Sequence, residues 1–230
     1  MTPASQASRA PRVAFVTIGQ SPRVDMLPEL LGAVHGAIEA TEVGVLDGFG
    51  RDEVAKMAPP PGEASLCTRM RDGEEVVIGK RETGQRLQAL FDRLDNQGYD
   101  AITLLCTGYF EHIGSKTLLI EAQRVVDAMV DAFSLGCRHL GVMVPLARQV
   151  QEFHVQGNAE RKVTATHFSP YTADGDKRLA PAAHELAGCD LLVMHCMGYT
   201  EAQRRRVAEA TGKPVLLARR IVATAVQQIV

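Results

Sequence analysis

The sequence predicts an α/β protein of two similar doubly wound parallel-sheet (flavodoxin-like) halves with a cleft between them. Three observations carry this. Short apolar runs alternate with segments whose apolar residues recur at helical spacing, the pattern of strands joined by crossover helices. Residues 98–110, GYDAITLLCTGYF, align without a gap on residues 188–200, GCDLLVMHCMGYT, with glycine, aspartate, cysteine, glycine and tyrosine coinciding. The chain is also long enough for two compact halves of about 100 residues each.

Taken in order, Met1–Arg12 is polar and rich in Ala, Ser and Pro, so residues 1–11 are expected to form a disordered tail. Val13–Ile18 is a continuous apolar run ending at Gly19, the profile of a strand buried on both faces. A helix is expected from Pro22–Asp25, carrying Leu27, Leu30, Leu31, Val34 and Ile38 on one face, before a strand at 42–46. Leu66–Met70 and Val76–Gly79 flank Arg71-Asp72-Gly73, a turn that closes an antiparallel hairpin. Lys80 and Arg81 open the next helix, whose face is Leu87, Leu90, Phe91 and Leu94 within 85–94, and the first cysteine strand follows Gly98.

The second half repeats this logic. Helices are expected at 121–133, 147–157 and 176–187, and strands at 139–144 and 162–168, leading to the second cysteine strand. A helix at 201–211, a strand at 214–217 and a helix at 219–229 complete the chain. The expected division is a first α/β domain over 12–112, joined by the C-terminal segment 214–230, and a second over 113–213.

Composition narrows the function classes. Apolar residues are 46%, charged residues 23% and the net charge is −2, which gives no electrostatic case for nucleic acid or an anionic membrane. No run of 18 apolar residues and no signal-peptide core is present, so a cytoplasmic protein with a small-molecule partner is expected. The five cysteines at 67, 106, 137, 189 and 196 contain no C-x-x-C pair, which disfavours a disulfide framework and a zinc site. A homodimer is compatible with the chain.

Chemistry points to Cys106 and Cys196, which fall at the carboxyl ends of equivalent strands, where open α/β sheets bind ligands. Each is expected to precede a helix, with the amides around Thr107-Gly108 and Met197-Gly198 stabilising a thiolate or a carboxylate. Cys67, Cys137 and Cys189 lack such a partner and read as structural. His195 alternates away from the Cys196 face of its strand, so a Cys-His dyad is discounted, and His112, in the loop after Cys106, is a better though weak candidate to support that cysteine. Thr17, Gly19, Gln20, Ser21 and Arg23, clustered before the first helix, form a candidate carboxylate clamp, although Thr17 or Ser21 acting as a cap and Arg23 as a surface charge would explain them equally. Arg148 is the second half's counterpart of Arg23, while Arg204, Arg205 and Arg206 read as solvent-facing. Neither a G-x-G-x-x-G nor a P-loop pattern occurs, which disfavours nucleotide.

Several motifs together resemble the AroM family, within the wider aspartate/glutamate/hydantoin racemase superfamily. They are Thr-Ile-Gly-Gln-Ser-Pro-Arg at 17–23, Leu-Asp-Asn-Gln-Gly-Tyr-Asp at 94–100, Val-Pro at 144–145 and Cys-Met-Gly-Tyr at 196–199, and the resemblance spans 12–230. It implies an enzyme without cofactor or metal, in which one cysteine from each domain acts on opposite faces of a carbon next to a carboxylate. On that reading Cys106 and Cys196 are catalytic, with Thr107, Gly108, Met197, Gly198 and Tyr199 around the substrate. Thr107 and Met197 follow their cysteines directly, a departure from the spacing common in the superfamily. The expected activity is racemisation or isomerisation α to a carboxylate; the alternatives are a cysteine-nucleophile isomerase or decarboxylase of a small diacid, and a non-catalytic carboxylate-binding protein.

Overall fold

A computed structural model describes residues 9–152 and 161–230. Most of the expected tail and the end of the helix expected at 147–157 lie outside the described residues.

Two four-stranded parallel sheets form the frame. The first has the order β2 (Glu39–Gly44), β1 (Arg12–Thr17), β5 (Ala101–Leu104), β6 (Leu118–Glu121). The second has the order β10 (Val215–Leu217), β9 (Leu191–Met194), β7 (His139–Val144), β8 (Lys162–His167). The antiparallel hairpin of β3 (Ser65–Arg69) and β4 (Glu75–Gly79) stands apart from both, closed by the expected turn with Gly73 at φ 98°.

Strand faces explain how the halves join. Val13, Phe15, Ala101 and Leu105 of the first sheet, and Leu140, Val142, Leu191 and Val193 of the second, share one buried cluster. Between them lie apolar residues of α1 (Leu27–Gly32), α4 (Ala122–Phe133) and α8 (Ala218–Gln227), among them Leu30, Val126 and Val222. The opposite face of the first sheet packs on Leu87, Leu90, Phe91 and Leu94 of α3 (Lys80–Leu94). That of the second packs on Leu179 and Ala183 of α6 (Ala173–Glu185) and on Val207 of α7 (Glu201–Thr211). The central strands β1, β5, β7 and β9 are thus covered on both sides, as continuous apolar runs require, while the edge strands β2, β6 and β8 are partly exposed.

Two strands differ from the expected division. Leu118–Glu121 pairs with β5 and so extends the first sheet beyond residue 113, and Val215–Leu217 pairs with β9, so the C-terminal strand belongs to the second sheet rather than the first. The first helix is also shorter than its periodicity predicts: it ends at Gly32, and Gly36 at φ 121° turns the chain towards β2. Two short helices complete the described elements, α2 (Arg51–Lys56) and α5 (Gln149–Glu152). Among the described residues no helix is long and apolar enough to cross a membrane.

Candidate functional site

Cys106 lies two residues beyond the end of β5 and Cys196 two residues beyond the end of β9. Both line a single cavity of about 230 Å³. Its walls include the β3 segment Ser65–Thr68, the loop Thr107–Tyr109, Val144-Pro145, Gln123 and Gln149, His195 and Met197 beside Cys196, and Arg23, Lys80 and Tyr171. The two sulfurs are held alike: the Gly108 amide donates to Cys106 Sγ at 3.3 Å and the Gly198 amide to Cys196 Sγ at 3.4 Å. Space is tight beside both glycines. A Cβ at Gly108 would fall 2.6 Å from Leu66 Cδ2, and one at Gly198 would fall 2.4 Å from the Tyr171 hydroxyl oxygen.

Each amide pulls its thiol pKa down, as the sequence led one to expect, but burial outweighs the pull. Burial pushes Cys106 up to about 12 against the pull of the Gly108 amide, Arg23 and Lys80, and a charged Cys196 would raise it further. Burial likewise raises Cys196, outweighing the Gly198 amide, Arg23, Arg219 and the Tyr171 hydroxyl. The resting pair is therefore two neutral thiols. The expected helix follows only one of them: Thr200 caps α7 after Cys196, whereas Cys106 leads into a helix-free loop over 107–117 that ends in β6.

The expected carboxylate clamp divides. Arg23 reaches the cavity although it is 3% exposed. Its Nε and Nη2 donate to the two Asp25 carboxylate oxygens at 2.9 and 2.8 Å, Nη1 to Thr17 Oγ1 at 3.0 Å and Nη2 to the Tyr171 hydroxyl at 3.2 Å. Burial works against this charge, but Tyr171 and Asp25 outweigh it and leave the guanidinium pKa raised. Thr17, Gly19, Gln20 and Ser21 do not line the cavity; they hold loops together. Gln20 Nε2 donates to the Leu46 and Phe49 carbonyls and its Oε1 accepts the Arg71 amide. Ser21 gives its amide and hydroxyl to Asp47, and Gly19 lies so close to the hairpin that a Cβ would fall 2.5 Å from Thr68 Oγ1.

Three further candidates are also placed elsewhere. Arg148 is exposed and away from the cavity wall. Tyr199 is fully buried and donates its hydroxyl to the Phe168 carbonyl at 2.8 Å. Gly198 reaches the site only through its amide. Thr107, Gly108 and Met197 do line the cavity. His195 lines it too, with Nε2 3.6 Å from Asp127 Oδ1, and His112 is exposed at φ 58°. Arg204 and Arg206 pair with Glu201 and Asp176 on the surface of α7.

Sequence reasoning missed four contributors. Cys67, expected to be structural, is a third thiol in the cavity, and burial together with Glu75 raises its pKa well above the usual range. Thr68 is 1% exposed, and its hydroxyl has no hydrogen-bond partner among the described residues. Tyr171 links Arg23 to the Cys196 side. Arg219, 1% exposed, donates to the carbonyls of Met197, Gly198 and Asp25 and so fixes the second cysteine loop. The Gly-x-Asp turns gave the cysteines away, but nothing local marks a residue that arrives from another loop. Among the described residues no group of three or more His, Cys, Asp or Glu is placed to hold a metal.

Comparison with solved structures finds the same two-sheet fold in racemases and in a decarboxylase. An aspartate racemase from Picrophilus torridus superposes with a TM-score of 0.63 at 10% identity, covering 96% of this chain and 94% of that one. An allantoin racemase from Pseudomonas fluorescens gives 0.57 at 16% identity, covering 95% and 90%. An arylmalonate decarboxylase gives 0.55 at 14%, covering 94% and 92%. No curated protein matches the sequence. The family described as AroM protein matches residues 13–230, and the chain therefore belongs to the AroM family.

Proposed function

We propose that the protein is a racemase or isomerase acting at a carbon α to a carboxylate, with Cys106 and Cys196 exchanging its proton from opposite faces. The reading rests on one observation: two thiols from equivalent strand ends, each with the same amide donor, open on one small cavity. One thiol first releases its proton to solvent and then, as thiolate, takes the α-proton, so a C–H bond breaks as an S–H bond forms. The other thiol returns its proton to the opposite face and becomes the thiolate. A pair that repels a second negative charge favours one thiolate and one thiol at a time.

The raised pKa values fit this task. The conjugate base of a thiol near 12 is far stronger than an ordinary thiolate, which narrows the gap to a weakly acidic C–H bond. Negative charge developing on the carboxylate side would meet the Thr68 hydroxyl, which has no partner among the described residues, and the Arg23 guanidinium, which Asp25 and Thr17 hold in place. A cavity of about 230 Å³ with Arg23 and Lys80 on its wall suits a small carboxylate.

The test is hydrogen exchange in deuterated water across a panel of carboxylic and amino acids. Deuterium is expected at the α-carbon of the substrate. Cys106→Ser and Cys196→Ser are each expected to abolish racemisation, and a variant that racemises at the wild-type rate overturns the two-thiol reading.

A further inference from the structure

The cavity between the thiols is lined by two cations, Arg23 and Lys80, and by no carboxylate. They differ in depth and in partnership. Arg23 is 3% exposed and is matched from behind by Asp25. Lys80, the first residue of α3, is half-buried at the rim, with its ammonium 5.4 Å from the centre of the Tyr109 ring, and Tyr109 is itself 47% exposed. Among the described residues no carboxylate pairs with Lys80; the nearby Glu63 accepts the Arg81 amide at 2.8 Å and lies near its guanidinium.

Lys80 and Ala64 also line a second cavity of about 650 Å³. This one runs along one face of α3, past Gly84, Gln85 and Gln88, to Phe110 and His112 of the loop that follows Cys106, and Arg81 and the carboxylates Glu63 and Glu111 are also on its wall. The two spaces thus have Ala64 and Lys80 in common on their walls. A monoanion held near Arg23 would leave the Lys80 ammonium with no counter-charge. A ligand with a second anionic group further along its chain would supply one.

We propose that the substrate is a dianionic acid with an extended chain, whose distal carboxylate binds Lys80 while the chain between lies at the junction of the two cavities. This rests on the proposed function in taking the space between the thiols as the site of the reacting carbon. Lys80 is then the residue that selects chain length and charge, and it takes no part in proton transfer. The larger cavity is the room into which longer chains extend.

Isothermal calorimetry with unbranched α,ω-dicarboxylates from malonate to suberate tests this, alongside monocarboxylates of equal length. Affinity is expected to rise along the diacid series to an optimum, with the best diacid at least about 10-fold tighter than its matched monoacid, the margin of a charge-assisted contact. Lys80→Met is expected to bring the two within about 2-fold of each other, and Lys80→Arg to keep most of the difference. Gln85→Trp, which fills the larger cavity from an exposed helix position, is expected to weaken the longest diacids and spare the shortest. A series without length dependence, no diacid binding at all, or a Lys80→Met variant that discriminates like the wild type overturns the proposal. Calorimetry reads binding whether or not a proton moves, so diacids that bind without deuterium exchange count against the proton-transfer reading alone.

Discussion

Replacing Cys106 by serine tests the burial of this thiol through the pH dependence of folding. An unfolded cysteine titrates near about 8.5, and the folded Cys106 near about 12. The folded pKa is raised, so the contribution to stability is complete below about pH 8.5 and is lost as pH climbs towards 12, because the unfolded chain releases a proton that the folded chain retains. Each pH unit inside that window costs about 1.4 kcal/mol per thiol, so at pH 10 Cys106 alone accounts for about 2 kcal/mol of lost stability. Cys67, Cys196, Tyr171 and Tyr199 shift the same way but are present in both proteins, so they cancel in the difference. Urea denaturation of wild type and Cys106→Ser at pH 7.5 and pH 10 measures it. The wild type is expected to lose about 2 kcal/mol more than the variant over that interval, and equal losses would refute the burial argument.

Two further outcomes follow from the site's packing. Gly198→Ala places a Cβ 2.4 Å from the Tyr171 hydroxyl oxygen and 2.7 Å from Pro170 Cγ; relieving this overlap is expected to cost about 1–3 kcal/mol and to lower α-proton exchange at least about 10-fold by shifting the partner of Arg23, and full exchange activity in a folded variant would contradict it. Ser21→Ala removes the hydroxyl contact to Asp47 Oδ2 at 2.7 Å; it is expected to cost about 1 kcal/mol in denaturation without altering ligand affinity, and a weakened affinity by calorimetry would return Ser21 to the ligand.

How much was legible in the sequence depended on whether the signal was local. The strand at 139–144 carries its own apolar run, the helix at 201–211 its Thr200 cap and closing Gly212, and the hairpin its Asp-Gly turn. The helix Arg51–Lys56 was missed because only Val54 is buried, leaving no apolar repeat to detect. β6 was missed because it is only four residues long with Ile120 alone buried, too short a run to stand out before the helix expected at 121–133. At the site, the internal repeat located both cysteines. The loop 17–23 misled because its polar groups resemble a ligand clamp, while the carbonyls of Leu46 and Phe49 that Gln20 satisfies lie far along the chain. Thr68 and Tyr171 join the site only through packing of the hairpin and of the loop before α6.

The shared apolar layer of α1, α4 and α8 has a consequence for how the molecule comes apart. Neither sheet can be stripped of that layer without wetting the other, so the twofold outline hides a single cooperative unit. Expressed separately, each half would present a wide greasy face to water and aggregate, and heating the intact chain should give one transition in calorimetry.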